Sequence, residues 1–307
     1  MDRDLREMLR TCWLPLARHA ARAYVAGPAL ADALEACRRV ARHGFAGTIC
    51  FWNPDGQEPR RIAGAYLGVL DALGREALDC YLSVKAPPLG FSRELSTEVL
   101  ERARQGGVTV HFDSFGPETV EPTFTLIEEG LARHPRLGCT LPGRWRRSLH
   151  DAARAAELGL GLRVVKGQFP DAGPAELDPR TGFLAVVDRL AGRARFVAVA
   201  THDAALARAA LGRLLGAGTP CELELLFGLP LRHAARVARE AGVGVRLYVP
   251  YGQAWLPYRL SEARHNPRLL WWVARDLLGG SALNLARPWA ALASAPAAQS
   301  AAARSRR

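Results

Sequence analysis

Lysine is almost absent from this chain: of its 41 basic residues, only Lys85 and Lys166 are not arginine. A chain that drifts towards arginine exchanges surface lysines cheaply. It keeps lysine where a compact, rotatable ammonium is needed and a planar guanidinium will not fit. Both survivors close short apolar runs, CYLSVK and LRVVK, which reads as two site residues at strand ends. Other absences narrow the function classes. The six cysteines are far apart with no Cys-x-x-Cys pair, which favours a reducing compartment over a disulfide framework or a zinc site. No apolar run is long enough to span a bilayer, and the charged start MDRDLREMLR lacks the apolar stretch of a signal peptide. A cytoplasmic protein without an integral membrane segment is expected. Net charge is +11, yet no basic run exists beyond RWRR at 144–147 and the last few residues, and no RNA-binding pattern is present. Nucleic acid is therefore not the expected partner, while peripheral contact of the basic surface with a membrane stays open. No His/carboxylate cluster has ligand spacing, so no metal is expected.

What is present is a rhythm. After an Ala/Leu/Arg-rich helical segment over 1–42 come eight short β-rich runs: AGTICFW (46–52), CYLSVKA (80–86), VTVHFDS (108–114), LGCTLP (137–142), LRVVKG (162–167), RFVAVATH (195–202), CELELLFG (221–228) and VRLYVPYG (245–252). Each is followed by a stretch of helical period, such as ELSTEVLERAR or PLRHAARVAREA. Strands alternating with helices imply a parallel sheet covered by helices. Eight units predict an α/β fold of the closed (β/α)8 TIM-barrel type over 43–280. The lack of Gly-x-Gly-x-x-Gly after the first strand argues against a doubly wound dinucleotide fold. The Ala/Ser/Pro-rich end, 281–307, reads as a disordered tail.

In such a barrel, chemistry belongs at the C-terminal ends of the strands. Those ends carry Trp52, Lys85, Asp113, Arg163 with Lys166, Thr201-His202-Asp203, Glu224, and Tyr248 with Tyr251. Each has a structural alternative. Asp113 can start a turn, His202-Asp203 can cap the following helix, and the tyrosines can be packing with a wet hydroxyl. Together, cations on several strands are costly to bury without a ligand or an acidic partner, which favours a collective site. A cation-rich rim with one aspartate suits an anionic cofactor and a small polar substrate. A Schiff-base lyase using Lys85 or Lys166 is the competing enzyme class, and a non-catalytic barrel the third reading.

The ordered motifs resemble the FAD-dependent proline dehydrogenases. LSVKAPPLGF is similar to that family's second-strand segment with an active-site lysine, here Lys85, and HFDS to the third-strand segment with its partner aspartate, Asp113. LRVVKGQFPD is similar to the stretch whose arginine approaches the flavin N5, placing Arg163, Lys166 and Gly167 there. VATHD resembles an FAD-contacting segment and maps Thr201, His202 and Asp203 to the cofactor. CELELLFG and VRLYVPYGQAWLPY resemble strands seven and eight and map Glu224 to the cofactor and Tyr248 and Tyr258 to the active site. The resemblance runs over about 45–275. It implies a flavoprotein with non-covalent FAD that oxidises L-proline, or a related cyclic or secondary amine, to an imine by hydride transfer to flavin N5, with a quinone as electron acceptor. The product from proline would be 1-pyrroline-5-carboxylate, a step of proline catabolism.

The chain departs from that pattern where the family clamps the substrate carboxylate. Tyr258 is followed by Ser261 and Glu262 in place of two arginines. Serine cannot supply a charge-assisted fork, and glutamate repels a carboxylate. Pro142 and Glu224 stand for flavin-side glutamines, Phe169 for an active-site tyrosine and His265 for a glutamate. The substitutions imply a substrate that lacks a free carboxylate or carries a cation for Glu262.

Overall fold

The computed structural model describes residues 24–171 and 177–253. Its order is α1 (Leu30–Arg42), β1 (Ala46–Trp52), α2 (Pro59–Arg75), β2 (Cys80–Val84), α3 (Arg93–Gln105), β3 (Val110–Phe112), α4 (Val120–Leu131) and β4 (Leu137–Pro142). There follow α5 (Ser148–Glu157), β5 (Gly161–Val165), α6 (Pro179–Leu190), β6 (Phe196–Ala200), α7 (Ala204–Gly216), β7 (Cys221–Leu226), α8 (Arg232–Glu240) and β8 (Gly244–Gly252). The eight strands form a closed parallel barrel in sequence order. The predicted runs fall on these strands, within two residues at each end. Among the described residues no helix is long and apolar enough to cross a membrane. The predicted 281–307 tail, Tyr258, Ser261, Glu262 and His265 lie outside the described residues.

Helix starts follow local chemistry. Ser92 accepts from the Leu95 amide at the head of α3, and Asp178, followed by Pro179, accepts from Thr181 N at the head of α6. Closure depends on β8, whose seven-residue register with β1 runs from Ala46↔Arg246 to Trp52↔Gly252.

Strand alternation then divides the side chains between two surroundings. Outward residues such as Ile49, Leu82, Val110, Leu162, Val197, Leu223 and Val249 are buried in the apolar layer beneath the helices. The inward positions carry polar side chains that meet across the barrel, including Thr48 with Glu224 and Arg163 with Asp113. The barrel is therefore filled by an ion-paired, hydrogen-bonded stack where branched apolar layers are the usual filling.

Candidate active site

The lower layer of that stack is held by Arg246 of β8. Its Nε donates to Glu222 Oε1 at 2.6 Å and its Nη1 to the Gly47 carbonyl at 2.7 Å. The guanidinium also lies 4.5 Å from the centre of the Tyr81 ring, a cation–π contact.

Above it stands Arg163 of β5, 3% exposed. Glu224 takes its Nε at 2.6 Å and its Nη2 at 3.0 Å, a two-point pairing. Asp113 takes Nη1 at 2.5 Å, and Nη2 also donates to the Tyr81 hydroxyl at 3.1 Å. With Ser83 and Thr140 each 3.4 Å from Nη1, the guanidinium donors are engaged within the barrel. Burial alone would pull the Arg163 pKa down. The Glu224 carboxylate, Tyr81 and Asp113 overcome it and hold the group above its ordinary value.

Asp113, just beyond β3, completes the upper layer. It accepts from Ser83 Oγ at 2.7 Å and from the Tyr248 hydroxyl at 2.7 Å, besides Arg163. It is a hub of the barrel interior, and the turn-starting reading of Asp113 does not describe it. Burial and the adjacent Asp113 charge push the Tyr248 phenol well above its usual range, so it stays a neutral donor.

Lys85 follows β2 and is 7% exposed. The expected ion pair with Asp113 is not formed: the Asp113 carboxylate is turned to Arg163, and Cys50 lies between. Lys85 Nζ donates to Cys50 Sγ at 3.2 Å and to the Phe51 carbonyl at 3.3 Å, and the thiol in turn faces Asp113 Oδ2 at 3.7 Å. Among the described residues no carboxylate lies within ion-pair distance of this buried ammonium, which keeps hydrogen-bonding capacity at the barrel mouth.

Lys166, Gly167, Thr201, His202 and Asp203 form a second group just past the ends of β5 and β6. Lys166 Nζ lies 3.8 Å from Asp203 Oδ2, which also pairs with Arg180. Two cations share one carboxylate. Burial and nearby Arg180 pull the Lys166 pKa down. Asp203 also caps α7 by accepting from Ala205 N and Leu206 N, so the capping reading and the charged reading both hold. Thr201 Oγ1 accepts from Asp203 N at 3.2 Å. Gly167 has φ +96°, and a Cβ there would stand 2.9 Å from Arg144 Cγ and from Pro142 Cβ. Its lack of a side chain is required by the protein's own packing. Phe169 packs on Phe115 with ring centres 5.0 Å apart, and Tyr251 on Phe51 at 5.2 Å.

His202 serves as a clip between loops. Its Nε2 accepts from Leu226 N at 2.9 Å, so the ring proton lies on Nδ1, which donates to the Pro230 carbonyl at 3.1 Å. Burial lowers its pKa to about 4. The unfolded chain takes up this proton near pH 6.5 while the fold excludes it. His202 therefore contributes stability above that pH that is lost as pH falls towards 4. Replacement by Gln, which can still accept from Leu226 N, is expected to flatten unfolding free energy against pH between about 6.5 and 4 by up to one proton's worth. Denaturant titrations of both proteins across that window measure it, and equal slopes would deny His202 the role.

Sequence reasoning found polar residues near most strand ends but missed the interior residues that hold them: Cys50, Tyr81, Ser83, His111, Glu222 and Arg246. The signal was the alternation in C-E-L-E-L and V-R-L-Y-V, which puts two polar residues of each strand on one face.

No known family profile matches the chain. It is 24% identical over 277 residues to proline dehydrogenase 1 of Bacillus subtilis (strain 168), covering 85% of this chain and 91% of that protein. It is 25% identical over 281 residues to proline dehydrogenase of Deinococcus radiodurans, covering 84% and 89%. The fold is similar to proline utilization A from Bdellovibrio bacteriovorus, solved after inactivation by N-propargylglycine, with a TM-score of 0.68, 17% identity and 91% of this chain covered. A variant of Bradyrhizobium japonicum proline utilization A follows with a TM-score of 0.58, 19% identity and 84% covered. The chain spans only 35% and 32% of those two larger proteins.

Proposed function

We propose that this chain, a diverged relative of the proline dehydrogenases, oxidises the carbon–nitrogen bond of L-proline or a related cyclic or secondary amine to an imine. The observation that carries the reading is Lys85, a buried ammonium at the barrel mouth with no carboxylate partner among the described residues, beside the Asp113–Tyr248 pair. A buried charge without a direct ion-pair partner costs stability, and a site that keeps one does so for a ligand.

The donor chemistry at the rim fits the phosphates of a non-covalent FAD: Lys166 and Arg180 stand together beside Asp203, and Thr201 adds a hydroxyl. When bound, the flavin supplies the hydride acceptor. Arg163, with its donors engaged inside the barrel, acts as a positioning residue that fixes Asp113 and Glu224. Asp113 orients the Tyr248 hydroxyl, and Lys85 directs its remaining hydrogen to an acceptor on the substrate. Each interior carboxylate accepts from an interior arginine, Asp113 and Glu224 from Arg163 and Glu222 from Arg246, so the substrate meets a fixed set of dipoles. Ser261 and Glu262 favour an amine without a free carboxylate. A quinone would take the electrons onward.

The test is the visible spectrum of the purified protein supplied with FAD, recorded before and after anaerobic amine. A bound flavin bleached by L-proline supports a proline dehydrogenase with a different carboxylate clamp. Bleaching only by amines without a free carboxylate supports the diverged substrate. Absence of bound flavin, or a borohydride-trapped adduct on Lys85 without flavin, overturns the reading in favour of a lyase or a binding protein.

A further inference from the structure

Two of the cysteines that the sequence holds far apart meet in the fold. Cys37 lies on the buried face of α1 and Cys80 opens β2, at the end of the barrel opposite Lys85 and Asp113. Both are free thiols, Cys37 buried and Cys80 partly exposed. Their sulfurs converge over Gly47, the residue of β1 that pairs with Cys80. A Cβ built on Gly47 would stand 2.6 Å from Cys80 Sγ and 3.2 Å from Cys37 Sγ, so the sulfurs are no farther apart than the sum of those distances. Any other side chain at position 47 would occupy the space the two thiols fill.

Chemistry distinguishes this pair from the other described cysteines. Hydrogen bonding from Cys37 lowers the Cys80 pKa against the effect of burial, with nearby Arg246 and the Gly47 amide acting in the same direction. Hydrogen bonding to Cys80 and burial push the Cys37 thiol up, so Cys80 is the member of the pair that gives up its proton more readily. Burial instead raises Cys50, Cys139 to about 12 and Cys221 to about 11. Thiolate character together with exposure is what makes a cysteine react with oxidants.

We propose that Cys37 and Cys80 are a modification site for peroxides, which join them in a reversible disulfide that staples α1 to the closed end of the barrel. The Cys80 thiolate attacks one peroxide oxygen, the O–O bond breaks, hydroxide leaves and Cys80 becomes a sulfenic acid. The released hydroxide takes up the proton that Cys80 had lost. Cys37 then attacks the Cys80 sulfur, the S–S bond forms, the S–O bond breaks, and the hydroxyl departs with the Cys37 proton as water. Two thiols and one peroxide give one disulfide and two waters. The reduced fold already brings the sulfurs together, so the bond requires little movement, and it closes a loop of about 40 residues of chain.

The test treats the full-length protein with one equivalent of hydrogen peroxide, alkylates remaining thiols and maps peptides without reduction. The expected result is a linked Cys37–Cys80 peptide lacking two hydrogens and released by dithiothreitol. With it, Tm should rise by about 5 °C or more in the parent protein and stay unchanged in Cys37→Ser. Recovery of Cys37 alkylated with Cys80 as sulfinic acid, or of both alkylated, would overturn the proposal. A linked peptide without a rise in Tm would overturn the stapling of α1, and a rise that persists in Cys37→Ser would assign it to another site.

Discussion

Replacing Arg163 by Met is expected to destabilise the protein by about 3–5 kcal/mol. The guanidinium is paired with Glu224 and Asp113, whose side chains are 2% and 12% exposed. Methionine fills much of the volume but leaves two carboxylates facing each other in a closed barrel. Desolvation makes the missing counter-charge more costly than the missing contacts. The pH dependence separates these causes. Stranded carboxylates acquire raised pKa values in the folded variant, so the variant is penalised most at high pH and regains stability as pH falls and they take up protons. A packing defect alone would be independent of pH. Adding Glu224→Gln to Arg163→Met should recover a substantial part of the loss, because it removes one stranded charge. Urea unfolding at pH 8 and pH 5 measures all three outcomes. A loss below about 1 kcal/mol at pH 8 would mean that the ion pair does not hold the barrel interior together.

Lys85→Met is expected to act in the opposite sense. Here the ammonium is buried against a carbonyl and a thiol, with no carboxylate in direct ion-pair contact to offset its desolvation in full. Methionine of similar length removes that cost, so stability should rise by about 1 kcal/mol. Amine oxidation should fall by about 100-fold or more, because the charge that meets the substrate is gone. A variant both more stable and nearly inactive is the signature of a residue retained for a ligand. If unfolding and turnover were measured together and Lys85→Met proved destabilised, Lys85 would be a structural residue and the proposed site would lose its main support.

The sequence by itself determined the eight strands and the helices between them, their order and their approximate ends. Those follow from local periodicity and from caps such as Ser92, Asp178 and Asp203, whose partners lie two or three residues away. It also singled out Lys85 and Asp113, just past apolar strands, and Arg163 and Tyr248, within them, because polar residues in apolar runs are visible in one dimension. Their pairing was decided only by the tertiary structure. Asp113 could have served Lys85 or Arg163, and barrel closure gave it to Arg163, 50 positions away. The same closure set Cys50 between Lys85 and Asp113, and brought Cys37 to Cys80 over a glycine. Local chemistry fixes which way a strand side chain points. Which charge it meets depends on the register of eight strands at once, and that information is spread over the whole chain.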